Sequence, residues 1–114
     1  MKRFCARQGD LLFEEVDAIP ASAKKQTPVN GRIILALGEA TGHHHSITVS
    51  QRDPADWWKE DDAADMGGDQ FVTSHKSVTV EHEEHGAVAL PPNKTIRVRR
   101  QREYSPAALR NVCD

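Results

Sequence analysis

The chain has 114 residues, with 15 basic and 17 acidic side chains and six histidines, for a net charge of −2. That length suits one domain, spanning 1–114, with its own buried core, and it leaves no room for two. No apolar run approaches the roughly 18 residues that a membrane span needs, which excludes a membrane-crossing helix.

The N-terminus, Met1-Lys2-Arg3-Phe4-Cys5, is basic but lacks a following apolar stretch, so it does not read as a secretory signal. The expected setting is the cytoplasm, where Cys5 and Cys113 would be free thiols. The other reading is a disulfide between them, closing nearly the whole chain.

Gly9-Asp10 introduces the first expected strand, Leu11 to Val16, which Ile19-Pro20 closes. Ala21 to Gly31 reads as a polar loop marked by Pro28, Asn30 and Gly31. Ile33 to Leu37 is short, apolar and β-branched, and is expected to be a strand buried on both faces. His43 to Ser50 alternates, placing His43, His45, Ile47 and Val49 on one face. Asp53-Pro54 resembles a helix start, so residues 51–70 are expected to form an acidic, partly helical insertion containing Trp57-Trp58. Phe71 to Ser74 and Ser77 to His82 read as strands joined by a tight turn at His75-Lys76. Ala87 to Leu90 and Thr95 to Arg102 complete the set, and Ser105-Pro106 opens a brief helical tail. About seven short strands imply an all-β fold, a small β-barrel or β-sandwich.

The insertion is acidic, whereas Lys94 to Arg110 carries six basic residues against Glu103. A nucleic-acid surface could produce that asymmetry, but no aromatic stacking platform accompanies the arginines. Pairing between the two charged regions, within a subunit or between neighbours, is the preferred reading. Arg100 and Arg102 share the parity of Ile96 and Val98, so one of them is expected to lean inward. Trp57-Trp58 would serve either as a lid on the core or as the contact of a homo-oligomer.

The histidines form two clusters, Thr41-Gly42-His43-His44-His45 and Glu81-His82-Glu83-Glu84-His85. Two imidazoles one residue apart on a strand point the same way and can grip one ion. His82 continues the face of Val78 and Val80, so His43, His45 and His82 are all expected to point inward, with His85 as a fourth nitrogen. Buried imidazoles need partners, and a metal ion can serve several at once. Nitrogen donors favour Zn, with Ni, Fe, Co or Cu as alternatives. Three ligands and an open position would activate a water, with Glu84, or alternatively Glu83, as general base. Four ligands would close the shell and make the site structural. His44 and His75 read as structural. The competing account is a polar hydrogen-bond network among the same histidines and Glu83 or Glu84.

The pattern Gly38-Glu39-Ala40-Thr41-Gly42-His43-His44-His45, then His82-Glu83-Glu84-His85, then Arg102-Glu103-Tyr104, resembles a group of small uncharacterised bacterial and phage-encoded proteins. That resemblance implies a bacterial or phage setting and brings no activity with it. The HxH strand also resembles the first metal motif of cupins, small β-barrels with an inward-facing metal. It implies His43 and His45 as ligands, with His82 or His85 as the later histidine. Val49-Ser50 stands where cupins place a glutamate, and their Pro-x-Gly before the last histidine is missing.

The function expected first is metal binding, with a hydrolase-type centre as its catalytic form. The alternative is a structural or assembly protein, a phage component or ring-forming subunit, whose histidines stabilise the fold or an interface. A nucleic-acid accessory using the arginine strand ranks last.

Overall fold

The computed structural model describes residues 3–9, 11–37, 44–60, 69–82 and 86–100, with the backbone alone at 36, 37 and 44. Within these the strands are β1 (Cys5–Gln8), β2 (Leu11–Val16), β3 (Ala23–Gln26), β4 (Arg32–Leu37), β5 (His44–Thr48), β6 (Asp56–Glu60), β7 (Gln70–Thr73), β8 (Val78–Glu81), β9 (Val88–Leu90) and β10 (Thr95–Arg100). They form two antiparallel sheets, one of six strands ordered β1-β2-β10-β7-β6-β3 and one of four ordered β4-β5-β8-β9.

The inward faces share one core. Leu11, Phe13, Val72, Ile96 and Val98 contribute from the larger sheet, and Ile33, Ile47, Val78, Val80 and Leu90 from the smaller. Strict alternation produces this. In β8 the pattern Val78-Thr79-Val80-Glu81 is buried, exposed, buried, exposed, as a strand with one solvated face requires.

The all-β expectation holds, but three of its details are corrected. Among the described residues no closed barrel forms: the strands make two sheets with distinct edges. The described residues contain ten strands rather than about seven, because β1, β3 and β6 were not expected. The partly helical insertion is also replaced, since Asp56–Glu60 is a strand and the described residues contain no helix. The apparent helix start has another local partner set. Asp53 N–H donates to Ser50 Oγ at 3.1 Å, and the Ser50 N–H donates to the Asp53 carbonyl at 3.3 Å, closing a turn. Beyond it, extended geometry sends Trp57 into the core and Trp58 to the opposite face.

The expected turn at His75-Lys76 is present and carries the chain from one sheet to the other, since β7 and β8 lie in different sheets. β4 is an edge strand and not a centrally buried one: Ile33 and Leu35 are buried, whereas Ile34 is half-buried. The polar stretch 21–31 contains β3, which pairs with β6. The chain leaves it through Asn30-Gly31, with φ of 53° and 74°. Val29 and Arg32 exchange both backbone hydrogen bonds across those two residues. Positive φ at both central positions is the requirement of a type I′ hairpin, met by Asn-Gly without strain.

The register of β4 on β5 shifts between Ile34 and Ala36, leaving Leu35 as a bulge. The displaced Leu35 carbonyl accepts a hydrogen bond from Gln70 Nε2 at 2.7 Å, and Gln70 Oε1 in turn accepts from Trp57 Nε1 at 2.8 Å. Gln70 is buried, so this chain of bonds supplies partners that water cannot.

Among the described residues one ion pair joins the two charged regions within the chain: Arg99 binds Asp69 through two contacts of 3.0 and 2.9 Å. Arg97 instead pairs with Glu14 of β2, and Lys94 lies 3.8 Å from Glu15 of the same strand. The hydrogen bond to Asp69 is the main reason that the Arg99 guanidinium holds its proton more tightly than usual. Arg100 shares the inward parity of Ile96 and Val98 and is half-buried, while Arg102 lies outside the described residues. Cys5 is disulfide-bonded, which corrects the expectation of a free thiol there. No described helix is long and apolar enough to cross a membrane.

Candidate metal centre

β5 and β8 are neighbours in the four-stranded sheet, with Ile47 opposite Val80 and Ser46 opposite Glu81. One more step in that register sets His45 opposite His82. Both sit on the face that carries Ile47 and Val80 toward the core, as strand parity predicts. His45 is 4% exposed, and its ring centroid lies 4.3 Å from that of the half-buried His82, with the planes inclined by 39°.

Gln8, on β1 of the facing sheet, fixes the His45 ring. Its Nε2 donates to the carbonyls of Val80 at 3.0 Å and Gly86 at 2.9 Å. Those two acceptors orient the amide, so Oε1 must face His45 Nδ1, 2.8 Å away, as an acceptor. Nδ1 therefore carries hydrogen, and in the neutral ring Nε2 is the basic nitrogen. This is the arrangement by which outer hydrogen bonds set the tautomer of metal-ligating imidazoles. Gln8 itself is 2% exposed, so the bond is sheltered from competing water.

The structure thus brings together two of the four expected ligands, His45 and His82. His43, His85, Glu83 and Glu84 lie outside the described residues. Among the described residues no three His, Cys, Asp or Glu side chains gather closely enough to hold an ion. His75 is exposed, with Nδ1 3.4 Å from Asn93 Oδ1, and takes no part. A groove of about 310 Å³ beside it, lined by Asp56, Thr73 and Lys94 among others, does not involve His45 or His82.

Sequence reasoning missed Gln8. A glutamine before Gly9-Asp10 looks like the polar end of a turn. Only recognition of β1 as a strand would have put it on the face of Ala6 and the core.

A family model matches residues 7–101. The chain belongs to DUF8820, a family of domains of unknown function. The matched span contains Gln8, His45 and His82, together with the other expected ligands, and leaves Cys5 and Cys113 outside it. No curated protein and no solved structure matches the chain. The family therefore agrees with the expected resemblance to an uncharacterised group and adds no activity.

Proposed function

We propose that this chain is a metal-binding β protein whose ion is held between the two sheets by His45 and His82. The observation that carries this reading is the buried His45 ring, oriented by the contact of its Nδ1 with Gln8 and lying 4.3 Å, centroid to centroid, from a second imidazole, His82. Zn-to-nitrogen bonds of about 2.0–2.1 Å are within reach of two rings so close, and imidazole donors suit Zn best, with Ni, Fe, Co or Cu as substitutes. His43 and His85 are proposed as the remaining ligands on the strength of their positions in the sequence. Bound with a position open, the metal would activate water, and Glu84 or Glu83 would serve as the base.

A second reading is favoured by the same hydrogen bond. Gln8 joins β1 to β5 and β8, so His45 could serve to tie the sheets together in a structural or assembly protein of bacterial or phage origin. Self-association through the Trp57-Trp58 stretch would then fall to Trp58, because Trp57 is spent in the core. The cytoplasmic setting is part of the proposal, and the Cys5 disulfide is the feature that opposes it, since such bonds persist in oxidising compartments.

Metal content of tag-free protein separates the two readings. Near-stoichiometric Zn, lost in His45→Ala and His82→Ala and reduced in His43→Ala and His85→Ala, is the expected result. Folded protein that is metal-free and ignores added Zn would leave only the structural reading.

A further inference from the structure

Asn30 and Gly31 form the tip of the hairpin that leads into β4, and both are exposed. Their neighbours hold them in place. Val29 and Arg32 exchange backbone hydrogen bonds of 2.9 and 3.0 Å across them, and the Gly31 carbonyl accepts from Val49 N–H at 2.8 Å. Among the described residues, the Asn30 side-chain amide and the Gly31 N–H themselves have no hydrogen-bond partner. Water therefore reaches a free asparagine amide next to a main-chain nitrogen that no Cβ of its own residue shields.

We infer that Asn30 is a site of spontaneous deamidation whose rate is governed by opening of this hairpin. The Gly31 nitrogen attacks Asn30 Cγ, forming a Cγ–N bond that closes a five-membered imide. The bond from Cγ to Nδ2 breaks, and Nδ2 leaves as ammonia, taking the proton from the Gly31 nitrogen. Water then opens the ring at one of its two carbonyl carbons, giving that carbon a hydroxyl and the nitrogen a hydrogen. Opening at Cγ leaves aspartate, and opening at the main-chain carbon leaves isoaspartate. Water is the sole co-reactant and ammonia the sole leaving group.

The folded hairpin opposes the first step. The φ values of 53° and 74° belong to a type I′ turn, in which ψ of the first central residue is about 30°. At that torsion the Gly31 nitrogen lies close to trans to Asn30 Cβ, whereas ring closure needs the two nearly eclipsed. Reaching that geometry takes a rotation of about 150°, which the Val29–Arg32 bonds do not survive. Reaction thus proceeds from the opened hairpin and follows its population. Isoaspartate lengthens the backbone by one atom between Val29 and Gly31, so the two-residue turn no longer closes. Either product adds a negative charge two residues from Arg32. This inference is independent of the histidine site.

Peptide mapping of the full chain aged at neutral pH, in buffer and in urea, tests it on the tryptic peptide Gln26–Arg32. The expected result is conversion to aspartate and isoaspartate, at least about tenfold slower in buffer than in urea. Val29→Pro, at an exposed position, removes the N–H that donates to Arg32. That variant should recover part of the lost rate in buffer while the circular dichroism of the sheets is unchanged. Equal rates in buffer and urea, an unmodified Asn30 in urea, or a Val29→Pro rate no faster than the parent's would each overturn the inference.

Discussion

The Gln8 amide and the His45 imidazole meet at 2.8 Å across the space between the two sheets, and both are almost completely buried. The contact does two things at once: it sets which His45 nitrogen is basic, and it satisfies two buried polar groups, Gln8 Oε1 and His45 Nδ1, while Gln8 Nε2 meets the Val80 carbonyl. Gln8→Ala should therefore act on both stability and metal. Unpaired buried groups cost about 1–3 kcal/mol each, and partial relaxation keeps the total near about 2–4 kcal/mol. Removing an outer partner of a ligating imidazole lowers metal affinity about 10–100-fold. Urea denaturation of metal-free protein reads the first effect, and Zn titration the second. Loss of stability with an unchanged Zn affinity would assign Gln8 a purely structural role.

Gln70 holds the corresponding place at the other side of the core. Its amide accepts from Trp57 and donates to the bulged Leu35 carbonyl, so Gln70→Leu should strand both groups. The expected cost is about 2–4 kcal/mol. Trp57→Phe removes the donor but keeps most of the ring, and should cost less. Because the three groups form one chain, the double variant should be less destabilised than the two single losses added together. Simple additivity in chemical denaturation would show that the bonds act independently.

Strand parity carried much of the candidate site. The alternation of His45 with Ile47, and of His82 with Val80, was enough to anticipate two inward rings, but the sequence did not reveal that their strands are neighbours. The bulge at Leu35 was not legible, because its energetic support comes from Gln70 in the other sheet. Edge strands were also hidden. Ala23-Lys24-Lys25-Gln26 has little intrinsic preference for β structure and exists through pairing with Trp57 to Glu60. Those edge lysines also discourage pairing with another chain. Asp53-Pro54 misled for a related reason: a helix-start signal is local, whereas burial of Trp57 and its bond to Gln70 are tertiary. Buried glutamines leave almost no trace in a sequence, since residue type alone places them outside.

The Asn30-Gly31 turn gives a backbone test of the fold. Gly31 has φ of 74°, which costs an L side chain about 1–2 kcal/mol, and its added Cβ would lie 3.4 Å from the Val49 carbonyl, an unstrained contact. Gly31→Ala should thus destabilise by about that amount through conformation alone, and Asn30→Gly should be close to neutral. Thermal melts of the two variants check this. Equal melting temperatures would mean that the hairpin has moved to a different turn.

The arginines of β10 provide the last prediction. Arg99 and Asp69 form a two-contact pair, but their side chains are 46% and 21% exposed, so water and salt screen much of the attraction. A double-mutant cycle with Arg99→Ala and Asp69→Ala should give a coupling below about 1 kcal/mol that fades in about 1 M salt. The pair matters more for what the arginine is prevented from doing. With Arg99 held by Asp69 and Arg97 by Glu14, this strand has its charge met inside the molecule. Single- or double-stranded nucleic acid should accordingly show little affinity in low salt. Asp69→Ala, by uncovering Arg99, should raise that affinity, as read by fluorescence anisotropy. Tight, steeply salt-dependent binding by the parent protein would instead mean that a nucleic acid can displace the carboxylates, and would restore the nucleic-acid reading that the intramolecular pairs argue against.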